Sequence, residues 1–419
     1  MHMGLSPSFT PPVTRTPPSR LTVCHLLTGP PCGPAMPCDD EIAALQLLGH
    51  AVVPVSLAAP APTRPADHRL SQPAALSLDA VETLAALKAA AANPSGLAAA
   101  VGFAQRQRGL PRRALLRAAA RLAYVVRAQR CTHIHSDTTH EAAAVAICGA
   151  RIAGVTASFS GHGRDLHDQD SDLALLLAAA DLVVTTSDAT EAAFRRLAPH
   201  ARLQTIGAGV APERFRPRPG PSNGRLLVAA PNPPGLGLDD MLAALEHMHR
   251  RLRPMVDIVA DSGADSGADS GADSRLAAAL TATVQRLGLE DSVTVLGGRG
   301  ADWLAAHGPF YQGFVLPGTI APDGPGEIDD VVLKQAMAMG LPAVATALPG
   351  VRAVLDGSCG RVVESDDRVG LAAAMVWLAD LRPAERLAIG LSGRTRVQQR
   401  FTLCAQAARL AAAFSSLHA

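Results

Sequence analysis

Short apolar runs alternate with longer amphipathic stretches along most of this chain, the pattern of parallel strands covered by helices on both faces. Residues 21–27 predict a first buried strand, 39–48 a helix, and 51–57 the next strand after Gly49-His50. Residues 133–135, 141–151 and 156–160 repeat the order strand, helix, strand, and 179–187 is a further helix-to-strand join. A Pro-rich stretch, Phe215-Arg216-Pro217-Arg218-Pro219-Gly220-Pro221, predicts an interdomain linker over 215–224. Beyond it, strands are expected at 226–230, 256–259, 293–296 and 313–316, a helix at 239–252, and one long terminal helix within 394–419. The length of 419 residues suits two domains. They are expected at 21–214 and 225–393, after a disordered leader at 1–20 rich in Pro, Ser and Thr.

The second domain carries a low-complexity insert at 260–274, in which Ala-Asp-Ser occurs four times. Asp261, Asp265, Asp269 and Asp273 suggest calcium, but a spacing of four residues matches neither the EF-hand nor the RTX repeat. Repeat expansion in a surface loop is the plainer reading, since loop length costs little.

Composition narrows the function only slightly. Hydrophobic content of 48% with mixed charge describes a soluble globular chain, and a formal charge of +1 offers no global attraction to nucleic acid. Seven cysteines scattered over the chain predict free thiols in a reducing compartment. No apolar run approaches the roughly 18 residues that span a bilayer, so the expected location is cytoplasmic. Cys24, His25, Cys32 and Cys38 cluster without the C-x-x-C pairing of most zinc sites. From Arg106 to Arg130 there are eight arginines and no acid. Arg113, Arg117 and Arg121 fall on one helical stripe, which reads either as a contact with anionic membrane or as a solvated face.

The densest chemistry lies between 315 and 363. It runs Val-Leu-Pro-Gly at 315–318, Asp323-Gly324-Pro325-Gly326-Glu327, then Val331-Val332-Leu333-Lys334-Gln335-Ala336-Met337-Ala338-Met339-Gly340-Leu341-Pro342. This resembles the C-terminal signature of the retaining glycosyltransferases of the GT-B fold, the "group 1" family of exopolysaccharide and lipid-linked glycan synthesis. That family carries two glutamates eight positions apart, the first facing the donor sugar and the second the ribose. Here they are Glu327 and Gln335. Gln335 could still hold a ribose hydroxyl without the charge, or be an ordinary helix residue. In the first half, Ser158-Phe159-Ser160-Gly161-His162-Gly163-Arg164-Asp165 resembles the family segment whose histidine lies beside the donor sugar. The resemblance gives that role to His162, with Asp165 as its neighbour. A histidine standing alone there would more often be structural. The His133-Ile134-His135 strand simply belongs to the sheet in this family.

The resemblance implies two Rossmann-like domains facing each other across a cleft, with the terminal helix crossing back onto the first. It implies a hexose transfer from a nucleotide sugar to a polysaccharide or lipid-linked acceptor, with no cofactor and no metal. His162 and Glu327 would orient the sugar and Gln335 the ribose, while Gly324, Gly326, Gly350 and Arg352 would line the diphosphate loops. The sequence also departs from the pattern. The Gly-Arg and Lys that face the diphosphate fall at Ala230-Pro231 and Leu236, the Asn-Gly-Val-Asp turn is Ala208-Gly209-Val210-Ala211, and Ala353 replaces an acid behind Gly350. The alternative is therefore a weakened or inactive pseudo-glycosyltransferase that serves as partner or scaffold of an active one. The missing cations support it, and His162 and Glu327 oppose it.

Overall fold

Val23, Cys24, His25, Leu26 and Leu27 are all buried, as a strand covered on both faces requires. They form β1 (Thr22–Leu27), followed in the first domain by β2 (Ala51–Ser56), β3 (Ala74–Ala75), β4 (His133–Ser136), β5 (Thr156–Gly161), β6 (Leu182–Thr185) and β7 (Leu203–Thr205). The computed structural model describes residues 20–28, 37–57, 74–75, 80–167, 172–231, 237–261, 271–319 and 330–418. Outside them lie Gly324, Gly326 and Glu327, most of the expected leader, and insert residues 262–270.

The seven strands are parallel in the order β3-β2-β1-β4-β5-β6-β7. The connecting helices are α1 (Pro37–Leu47), α2 (Ala80–Ala91), α3 (Pro94–Arg106), α4 (Arg112–Ala128), α5 (His140–Ala153), α6 (Leu173–Ala179) and α7 (Asp188–Leu197). Period-two alternation divides β1 between two cores. Cys24 and Leu26 join Phe103, Leu122 and the apolar face of α5, whereas Val23 joins Leu45, Leu182 and Val184 on the opposite side. Leu115, Ala119, Leu122 and Val126 turn α4 inward, and Arg113 and Arg117 are left exposed.

The second domain holds β8 (Arg225–Pro231), β9 (Met255–Asp261), β10 (Val293–Gly297), β11 (Gly313–Leu316), β12 (Ala343–Thr346) and β13 (Gly360–Val363), parallel in the order β10-β9-β8-β11-β12-β13. Its helices are α8 (Leu238–His247), α9 (Gly271–Arg286), α10 (Ala301–His307), α11 (Val331–Ala338), α12 (Val351–Val354), α13 (Arg368–Ala379) and α14 (Pro383–Arg400). Two expectations need adjusting. The insert is not loop throughout, because 271–274 already form the first turn of α9. Phe215, placed in the linker by its proline neighbours, is buried in the second domain's core beside Val210 and Leu341, since an aromatic ring gains more by burial than a linker position allows.

The terminal helix is not continuous. It breaks at Phe401-Thr402, and Thr402 caps α15 (Leu403–Ser415) by accepting from Ala405 N. This break lets the chain cross between domains. Leu410, Ala411 and Phe414 of α15 pack on Val23, Leu182 and Val184 of the first domain.

Gly209 sits under the crossing. Val210 N donates to Phe401 O, Leu403 N donates to Val210 O, and Gly209 N donates to Gln406 Oε1. A Cβ on Gly209 would lie 2.5 Å from Thr402 O, against backbone that cannot swing aside. Gly209→Ala is therefore expected to destabilise by about 1–3 kcal/mol. Thermal unfolding with proteolysis at the α14–α15 junction checks this, and an unchanged midpoint refutes it.

Candidate functional site

In each sheet the strand order reverses once, between β1 and β4 and between β8 and β11. Ligands of open α/β sheets bind outside the carboxyl ends of the strands at such points. In the second sheet, Gly237 stands at the N-cap of α8 with φ +70°. A Cβ there would lie 2.8 Å from Gly318 N, just beyond β11. The start of α8 thus meets the end of β11 backbone to backbone, and the helix begins with no side-chain cap at its positive end. That is a cradle of the kind that accepts a nucleotide diphosphate. Pro231 is the last residue of β8 at this same point.

The helix that follows β11 is α11, with Asp330 as its N-cap. Gln335 lies in its middle, half-buried, and its side chain makes no hydrogen bond among the described residues. Lys334 faces the other way and is 1% exposed. Its Nζ donates to Asp330 Oδ1 at 2.6 Å and to Ala208 O at 2.8 Å, and lies 5.3 Å above the Phe401 ring. Lys334 therefore ties α11 to the first domain and is not free to hold a phosphate. The contact also carries α11 to the carboxyl ends of the first sheet, since Gly207 lies between Lys334 Nζ and Thr186 O, just past β6.

His162 follows directly on β5 and is half-buried. Asp165 closes the turn behind it: its Oδ2 accepts from His162 N at 2.7 Å, and its own N–H donates to His162 O. One oxygen of the carboxylate thus holds the turn that carries His162. Gly161 has a packing reason. A Cβ there would lie 2.4 Å from Phe194 Cε2, so its lack of a side chain makes room for a ring and not for a ligand.

Gly350 caps α12 with φ +87°. Arg352 is exposed, its guanidinium paired with Glu364. They line a surface groove with Asp356, Arg361 and Asp367, where three acids outnumber two arginines. A diphosphate would have to draw Arg352 away from Glu364. The positions of Gly324, Gly326 and Glu327 fall outside the described residues.

Sequence reasoning overlooked Gly237, Gly318 and Asp137. Asp137 comes straight after β4, one strand over from His162. Burial raises its carboxyl above the usual range; His25 and His162 pull it back and Glu41 pushes it further up. Its Oδ1 is buried without a hydrogen-bond partner. An acid immediately beyond a strand's carboxyl end, in Ser136-Asp137-Thr138-Thr139-His140, was the available signal. Beside it, and visible only in the structure, His140 holds φ +63° at the start of α5, a conformation that non-glycine residues adopt at a cost.

Residues 229–380, from the middle of β8 past the end of α13, match the family described as "Glycosyl transferases group 1". About 95% of the chain superposes on solved structures of the GT-B fold. Sucrose-phosphate synthase from Thermosynechococcus elongatus is 19% identical, with a TM-score of 0.65 over 95% of this chain and 99% of that one. HepE of Anabaena, solved with UDP and glucose, is 18% identical with a TM-score of 0.65 over 95% and 100%. The trehalose 6-phosphate synthase of Burkholderia multivorans is 14% identical with a TM-score of 0.59 over 95% and 97%. No curated protein matches the chain. The protein has the GT-B architecture of two Rossmann-like domains, as its sequence leads one to expect. Its second domain carries the group 1 glycosyltransferase pattern.

Proposed function

We propose that this protein is a retaining glycosyltransferase that moves a hexose from a nucleotide sugar onto a polysaccharide or lipid-linked acceptor. The observation that carries the reading is the backbone cradle of Gly237 and Gly318 at the β8/β11 reversal, inside the segment with the group 1 pattern. As the glycosidic bond breaks, negative charge grows on the leaving diphosphate. The amides at the start of α8, aimed at that charge, stabilise it where side-chain cations are few. His162 and Glu327 orient the sugar and Gln335 holds the ribose. Asp137 supplies a buried carboxylate near His162. UDP in the HepE structures makes a uridine nucleotide the first donor to try. The transfer itself takes no cofactor and no metal in this reading. The exposed Arg113 and Arg117, on the stripe that includes Arg121, suit a reaction at an anionic membrane surface on the cytoplasmic side. No single described helix is long and apolar enough to cross a membrane.

Equilibrium binding of UDP, GDP and ADP and their sugars tests the reading, with a His162→Ala, Glu327→Ala double variant as control. Saturable binding that the variant loses supports it. No binding at millimolar nucleotide sinks it in favour of a scaffold for an active transferase. A second expectation concerns the missing cations. Pro231→Arg and Leu236→Lys should together tighten UDP binding by at least about 100-fold, because each restored cation is worth roughly 1.5–3 kcal/mol on a diphosphate. Calorimetric titration decides it, and no gain means the diphosphate lies elsewhere.

A further inference from the structure

The first sheet has its own reversal point, between β1 and β4, and three ionisable side chains meet beside it. His25 of β1, His135 of β4 and Glu41 of α1 each offer one ligand atom, and these atoms all lie within 4.8 Å of one another. His25 Nε2 is 3.1 Å and His135 Nε2 3.9 Å from the same oxygen, Glu41 Oε1. Tetrahedral zinc, with ligands at about 2.0–2.2 Å, sets its donor atoms about 3.3 Å apart, so each imidazole is already within a fraction of an ångström of that spacing from Glu41, and the two rings, whose ligand atoms lie within 4.8 Å, draw together to close the set.

The atoms behind the ligands are already arranged as metal sites arrange them. His135 Nδ1 meets Ser158 Oγ at 2.7 Å, an outer bond that fixes the ring, while its Nε2 lies 3.3 Å from Ser160 Oγ, a contact the metal would displace, and 3.9 Å from Glu41 Oε1. Glu41 Oε2 accepts from Gln406 Nε2 at 2.8 Å, which leaves Oε1 to the histidines. The Phe414 ring lies 5.1 Å from the His135 ring and helps to seal the pair under α15. The protonation states also suit. Burial pushes His135 down to about 3, so its ring is neutral at pH 7. Burial works to raise Glu41, but His25, His135 and Gln406 hold it below the usual carboxylate range, so it is charged.

We propose that His25 Nε2, His135 Nε2 and Glu41 Oε1 bind one divalent transition-metal ion, of the zinc class, as a structural clamp in the first domain. Two imidazoles and one carboxylate are the borderline-soft donor set that this class prefers over calcium or magnesium. On binding, the proton that His25 Nε2 shares with Glu41 passes to Nδ1 of the same ring, or to solvent where the ring is an imidazolium, and the freed Nε2 lone pair goes to the metal. The ion joins β1, β4 and α1 directly. Through Glu41, Gln406 and Gly209 N it also secures the docking of α15. The clamp is independent of the transfer reaction proposed above.

Cobalt(II) titration of the chelator-treated full chain tests it, read by the visible bands of tetrahedral cobalt. One equivalent, displaced by zinc, is expected in the native protein. Glu41→Gln and His135→Gln, each first checked for native circular dichroism, should weaken binding by at least the about 10–100-fold that loss of an outer-shell partner costs. No tetrahedral spectrum at millimolar cobalt overturns the proposal, and so does an affinity in both variants equal to that of the native protein. X-ray absorption at the metal edge of the native protein decides the matter even if the variants misfold. Two imidazoles with oxygen are required; a sulfur ligand, or oxygen alone, rules the site out.

Discussion

His162→Ala is expected to lower turnover of the nucleotide sugar about 100-fold while leaving the fold intact. The reason lies in how the residue is held. The Asp165 carboxylate grips His162 through the backbone N–H, so removing the imidazole leaves the turn closed. What is lost is a polar group at the carboxyl end of β5, next to the strand that leads to Asp137. Asp165→Ala should do the opposite. It releases the N–H of His162 and should lose about 1–3 kcal/mol of stability, through a charged acceptor that is almost wholly buried. Turnover and thermal unfolding measured on both variants separate the roles. If His162→Ala retains turnover within a few-fold, the histidine is structural. If Asp165→Ala loses activity at unchanged stability, Asp165 belongs to the donor site after all.

Asp330→Asn should destabilise the protein by about 3–5 kcal/mol, because it strands a charge in the interior. Lys334 Nζ then loses its counter-charge and keeps only neutral partners, the amide oxygen at position 330, Ala208 O and the face of Phe401. An ammonium with so little compensation costs several kcal/mol to keep from water. Asp330→Asn combined with Lys334→Met should recover most of the loss, since no charge remains to be buried and methionine fills a similar volume. Urea unfolding of the single and double variants gives the answer. Equal losses in both would mean that Lys334 matters through its contact with Ala208 and not through its charge. Because Lys334 joins α11 to residues 207–208, the same variants should also loosen the two domains relative to each other.

These two residues illustrate what could be read from the chain and what could not. His162 was legible because a histidine between glycines at a strand's end stands out locally and within a family pattern. Asp165 was legible as its neighbour, but its use was not. Whether a carboxylate closes a turn or faces a ligand depends on backbone geometry a few residues away. Lys334 and Gln335 are adjacent, and helical spacing already separates their directions by about 100°. Spacing alone does not say which of the two faces solvent. The packing of Phe401 and Ala208 around α11 makes Lys334 the buried one.

Phe215 failed as a linker residue for a related reason. Proline content marks where a chain turns, but an aromatic ring follows the nearest core, and that core is assembled from Val210, Leu341 and α11. The break at Phe401-Thr402 was missed because 394–417 keeps helical periodicity through it. A change of direction between two helices leaves that count nearly undisturbed.

By itself the sequence determined the parallel α/β architecture, the two-sheet organisation and the glycosyltransferase pattern of the second domain. Each of these rests on local periodicity or on motifs within a few dozen residues. Only the tertiary structure decided that Gly237 meets Gly318, that Lys334 is spent between domains, and that His25, His135 and Glu41 converge beneath α15. Those contacts join distant parts of the chain, the Gln406–Glu41 bond across 365 positions. Periodicity carries no record of such pairs, because strand order and the crossing of the terminal helix set them.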